Sequence, residues 1–187
     1  MKNLFIVLLV IILCLACYNS QSAEKDGIQN KNIIPAEIVK KIEKEGAKKV
    51  VGEFYKDELI WDKLLKNIAS GKKSWLEVAV YLGPGTDAGA SEMLDFAMAE
   101  ALENSPKLVL EIIKKDDSFM AAFICSGPDV YDPRYSTYHK ALIATNHRIA
   151  VLEKVDDKNL KNIRNLCIGE LKKSIPHLKK YFGVKTN

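Results

Sequence analysis

Each of the six prolines in this 187-residue chain stands where a helix can begin or end, and that constrains the fold more than any other feature. Pro35 and Pro106 suit the first turn of a helix, where a missing amide hydrogen costs nothing, and Pro133 follows Asp132 in the same way. Pro84 follows Gly83, a glycine suited to the left-handed position after a helix, proline being unable to continue one, and Gly127 with Pro128 ends a short apolar run. Pro176 is expected to close the last run.

Between these stops apolar residues recur at intervals of three and four. Ile38, Val39 and Ile42 run up to Gly46, Val50, Val51 and Phe54 continue the pattern, and Leu59, Ile60, Leu64, Leu65 and Ile68 form a helix closed by Ser70 and Gly71. Ser105 caps a run through Leu108, Val109, Ile112 and Ile113, and Ser118 precedes a short apolar helix over 119–125. Tyr135, Tyr138, Leu142, Ile149, Leu152 and Val155 predict the longest helix of the chain, starting at the Asp132 cap. Leu160, Ile163, Cys167 and Leu171 predict a last helix over 158–174. With no sustained strand pattern and no hairpin dipeptide, the expected class is all-α: an antiparallel stack of helices, either α-solenoid-like or an irregular bundle.

One stretch tests that reading. "VAVYLGPGTDAGASEML", residues 78–94, has the outline of a strand, a phosphate loop and a helix. Its loop spacing is G-x-G-x-x-x-G, it lacks a Walker lysine, Pro84 removes a backbone donor, and Asp87 would repel an anion. Ser74 and Glu77 form a capping-box pattern upstream, after which Trp75, Val78, Ala79 and Leu82 share a helical face. The segment is therefore expected to be two helices and a corner, with Ser74 capping the first and Thr86 or Asp87 the second.

The start of the chain has the layout of a secretory signal over 1–22: Lys2, an uncharged apolar run from Leu4 to Cys17, then a polar exit. About 14 residues are too few for a comfortable membrane span. Leu13-Cys14-Leu15-Ala16-Cys17 resembles a bacterial lipobox, although Cys14 stands where leucine is usual; Cys17 is the expected lipidation site, and cleavage near Ser22 or Ala23 is the alternative. Residues 23–33 read as a polar tether and 34–182 as a single helical domain. Export places Cys125 and Cys167 in an oxidising compartment, where a disulfide is the expected state. Closing a loop of about 43 residues restricts the unfolded chain by roughly 4 kcal/mol. Removing Lys2 leaves 27 basic residues against 24 acidic ones, too mild an excess to point to nucleic acid.

Only three of the 28 basic residues are arginines, Arg134, Arg148 and Arg164, all near aspartates in the last third of the chain. Planar bidentate donors in that setting point first to a structural ion-pair network and second to a ligand site. Asp129, Tyr131, Asp132, Arg134, Tyr135 and Tyr138 gather on one corner, either as a partner-binding surface or as an internally bonded lid on the following helix. Asp129, Tyr131, Arg134, Tyr138 and Arg148 are the candidate binding residues. His139 and His147 lie about 12 Å apart along a helix, too far to share a metal, and no metal or cofactor is expected. No G-x-S-x-G motif suggests a serine hydrolase.

The run "SGKKSWLEVAVYLGPGTDAGASEMLDFAMAEAL", followed by "SP", a cysteine, "DPRYSTY", "HRIAVLEKV" and "IRNLC", resembles a group of small exported bacterial helical proteins without an assigned activity, over approximately residues 45–171. The resemblance implies an all-helical exported domain with paired cysteines and implies no catalytic residues. Together these readings predict a non-enzymatic, periplasmic, lipid-anchored envelope protein that binds another protein through a helical surface. The competing expectation is a hydrolase of an envelope polymer using carboxylates from Asp87, Glu92 or the Asp129 corner.

Overall fold

The computed structural model describes residues 33–184, and every element in that span is helical. The expected signal, Cys17 and all but the last residue of the tether lie outside the described residues. The helices are α1 (Pro35–Glu45), α2 (Ala47–Lys56), α3 (Glu58–Ala69), α4 (Lys73–Leu82), α5 (Ala88–Asn104), α6 (Pro106–Lys115), α7 (Ala121–Ile124), α8 (Tyr138–Glu153) and α9 (Lys161–Tyr181). Single turns of 3-10 helix occupy Gly83–Gly85, Pro133–Tyr135 and Lys158–Leu160.

The corners among the first helices are as short as the sequence suggests. Gly46 alone separates α1 from α2, with φ of 84°, and Asp57 alone separates α2 from α3 while its carboxylate accepts from the Ile60 amide at 3.2 Å. Helices joined so tightly must double back on one another, and the result is a bundle. Its N-terminal helices α1 to α4 pack among themselves, α8 and α9 form a second pair, and α5 touches α3, α6, α7 and α8. That central position explains why α5 buries Ala90, Leu94, Ala97, Met98, Ala99, Ala101 and Leu102 on most of its circumference. Trp61 and Trp75 are both core residues. A disulfide joins Cys125 to Cys167, with Cα atoms 4.5 Å apart, and ties the end of α7 to the second turn of α9.

The stretch at 78–94 is helix, corner and helix, but its chemistry differs in part from expectation. Asp87 caps α5, accepting from the Ala90 amide at 3.1 Å. Ser74 does not cap α4. The Trp75 and Leu76 amides both bond to the Lys72 carbonyl, so the helix has begun two residues earlier and Ser74 lies inside its first turn. Gly83 is not left-handed; at φ of −44° it carries α4 on into the 3-10 turn. The glycines are needed for space, since a β-carbon on Gly85 would stand 2.3 Å from the Ala47 carbonyl carbon, where the corner packs on the start of α2.

Two other boundaries move. Asp132 caps only the 3-10 turn, accepting from the Arg134 amide at 2.7 Å, and α8 starts later at Tyr138 with Thr137 as its cap. Pro176 does not close the last helix, which continues to Tyr181 and, at 21 residues, exceeds the 16 of α8. Pro176 is exposed, so the carbonyl left without its amide partner lies on a side of the helix that is open to solvent.

Candidate functional site

Asp62, Leu65, Lys66 and Ala69 on α3 face Met93, Phe96, Ala97 and Glu100 on α5 across an open groove of about 520 Å³. Both sets have the spacing of one helical face, i, i+3, i+4 and i+7, so the walls follow directly from two adjacent helices whose apolar stripes do not fully close. The floor is apolar, and Phe96 is braced from behind by Phe123, edge to face at 5.0 Å.

One end of the groove is closed by Asp132 and Arg134 from the corner between α7 and α8. That corner is built from local bonds. The Asp129 carboxylate accepts from the Tyr131 amide at 2.9 Å, turning the chain, and Asp132 then begins the 3-10 turn. Arg134 Nε donates to Asp132 Oδ2 at 2.9 Å, Nη1 donates to Glu100 Oε2 at 3.2 Å, and Nη2 reaches both carboxylates. Its guanidinium also lies over the Tyr135 ring, 5.4 Å from the centroid. The side-chain bond from Arg134 holds the Asp132 carboxyl below its usual range, while burial pushes the Tyr135 hydroxyl up. The same two carboxylates keep Arg134 firmly charged.

The five candidate binding residues do not share one surface. Tyr131 is 81% exposed and meets Tyr181 of α9 edge to face, with centroids 6.1 Å apart. Asp129 serves the turn, and Tyr138 is the half-buried first residue of α8. Arg148 is 2% exposed; its Nε donates to Glu103 Oε1 at 2.8 Å and its Nη1 reaches the Ser126 carbonyl at 3.5 Å. A side chain so enclosed offers nothing to a partner, and Arg148 is an internal strut beneath the corner. Arg164 likewise turns inward, donating to the Val155 carbonyl at 2.6 Å just past α8.

Sequence reasoning passed over Asp95. This carboxylate sits among the apolar residues of α5, 2% exposed, with Oδ1 lacking any partner and the Met120 amide as a backbone donor. Burial pushes it up to about 6. Its position one residue after Leu94 and three before Met98, inside an otherwise apolar run, was the available signal. It looks toward the start of α7, and does not line the groove.

Comparison with known proteins gives no match. No family model, no curated protein and no solved structure is significantly similar to this chain. The all-helical architecture and the disulfide that the resemblance implied are present. Among the described residues no group of three histidine, cysteine or acidic side chains is placed to hold a metal ion. A second groove of about 500 Å³ between α4 and α6, with Leu76, Val80, Leu108 and Ile112 at its base, contains none of the candidate residues.

Proposed function

We propose that this chain is a non-enzymatic exported protein that receives an amphipathic helix of another envelope protein in the groove between α3 and α5. The observation that supports it is the pairing of two helical walls at i, i+3, i+4 and i+7 around an apolar floor, the form in which a third helix lays its apolar face. Arg134 at the groove end supplies a planar donor of the type enriched at interfaces. Lys66 and Asp62 provide polar rim groups on the α3 side.

The disulfide is consistent with export, and no helix among the described residues is long and apolar enough to cross a membrane. Lipidation at Cys17 would give the envelope location its anchor, and intact-mass measurement of the processed protein tests it directly: an unmodified N-terminus beyond Cys17 rejects the anchor. Polymer hydrolysis has weaker support. Glu100 and Asp132 share one guanidinium and so come as close as catalytic carboxylates do, but both are engaged by Arg134 and neither is presented free to a scissile bond.

Site-specific photo-cross-linking in intact cells tests the groove. A cross-linker at Lys66 is expected to give a discrete adduct that is absent when the cross-linker is moved to Lys140 on α8. Equal adducts from both positions, or none from Lys66, would reject it.

A further inference from the structure

The charge of this domain is divided unevenly. Residues 33–160 carry 18 lysines and arginines against 21 acidic residues, whereas residues 161–184 carry six against one, Glu170. All six, Lys161, Arg164, Lys172, Lys173, Lys179 and Lys180, lie on α9. We infer that the outer face of α9 and the aromatic residues at its end form a docking surface for an anionic lipid headgroup layer.

The buried side of α9 is defined by Cys167, Leu171 and Leu178. At 100° per residue, Lys173 and Lys180 fall on the opposite side, seven positions apart, with the exposed Leu166 seven positions earlier on the same line. Lys161 and Lys172 flank that line and are also exposed. Among the described residues, the one ion pair in this set joins Lys173 to Glu170 at 2.7 Å. Arg164 is spent on the Val155 carbonyl, leaving four lysines along about 28 Å of helix without an acidic partner. Such a row exceeds two Debye lengths at physiological salt, so it presents a line of charge suited to an extended anionic surface better than to a point ligand.

The end of the same helix adds a different contact. Tyr131, Tyr181 and Phe182 form a chain of edge-to-face rings, with centroid spacings of 6.1 and 4.9 Å, and Val184 is exposed beside them. Lysines next to the exposed Tyr131 and Tyr181 and the half-buried Phe182 match the amphipathic character of a lipid headgroup region: cations meet the phosphates and rings reach the acyl boundary. A soluble polyanion would use the lysines but would leave the exposed Tyr181 and Val184 in water. This surface lies on a different helix from the groove, and neither requires the other.

Co-flotation of the full processed chain tests the inference, comparing vesicles of pure phosphatidylcholine with vesicles containing about 30 mol % phosphatidylglycerol. An acyl anchor would favour both compositions alike, so the contrast between them reads the charge of the protein itself, and the α9 variants assign it to that helix. The expected result is partitioning at least about tenfold stronger on the anionic vesicles at 0.1 M salt, largely lost at 1 M salt. Lys172→Gln with Lys180→Gln, both at exposed helical positions without an acidic partner, should weaken it on the order of 30-fold. Tyr181→Ser should weaken it several-fold while circular dichroism stays unchanged. Equal partitioning on both vesicle types overturns the inference. So does full retention of vesicle binding in Tyr181→Ser together with complete competition by heparin, which would mark a general polyanion surface.

Discussion

Glu100 and Glu103 lie one turn apart on α5, and each meets an arginine from beyond α7, yet the two bridges differ in what surrounds them. Arg134 and Glu100 are 57% and 31% exposed, at the mouth of a groove, with Asp132 as a third partner. Arg148 and Glu103 are 2% and 25% exposed, and Arg148 also holds the first carbonyl after the disulfide. Water shares the first bridge and so takes most of its Coulomb energy; the second has been desolvated and cannot lose a partner cheaply. Identical chemistry thus gives an adjustable rim at one site and a strut at the other. Asp95, two turns before Glu103 on the same helix, is a buried carboxylate with no arginine beside it.

Four measurements would break or sharpen this contrast. Removal of the disulfide that backs the buried bridge, by Cys125→Ser with Cys167→Ser, should cost about 4 kcal/mol in denaturant unfolding. A loss below about 1 kcal/mol would show that Arg148 and its neighbours hold that side unaided. Arg148→Ala should cost about 3 kcal/mol, and Arg148→Met should recover part of it by refilling the space; equal losses in both would put the value in the charge.

Asp95 gives a pH signature that neither bridge shares. Its folded-state value of about 6 lies above the 3.8 of an ordinary aspartate, so the folded protein takes up a proton that the unfolded chain does not. Stability should therefore rise as pH falls from 7 toward 4, by about 2 to 3 kcal/mol from this group. Asp95→Asn should flatten that slope, as followed by urea midpoints across the range. A slope unchanged in the variant would assign it elsewhere. Smallest of all, Arg134→Ala should change stability by less than about 1 kcal/mol while weakening cross-linking from Lys66. A stability loss like that of Arg148→Ala would erase the distinction between the bridges.

Legibility followed the range of the interaction. Asp87 was readable as a cap because its acceptor role is settled within three residues, and the Asp129 turn is equally local. Ser74 misled because a capping box describes only the residues inside it, whereas the corner at Ser70 and Gly71 had already delivered Lys72 in an extended conformation. Gly83 misled similarly: a glycine before proline suggests a left-handed stop, but space beside its neighbours and not φ is what this corner requires. Pro176 stayed within α9 because its face is turned to water, a fact that no periodicity contains.

From residue order alone follow the helical class, the corners between most helices, the core status of both tryptophans and the pairing expected of Cys125 and Cys167, since periodicity and cap chemistry act over short distances and the expectation of a disulfide needs no geometry. Tertiary packing decided that α5 is the centre, that the stripes of α3 and α5 leave a groove open, and that Arg134 faces solvent where Arg148 does not. Burial is a property of neighbours, and a lone arginine or aspartate in a sequence carries no record of which helices will close over it.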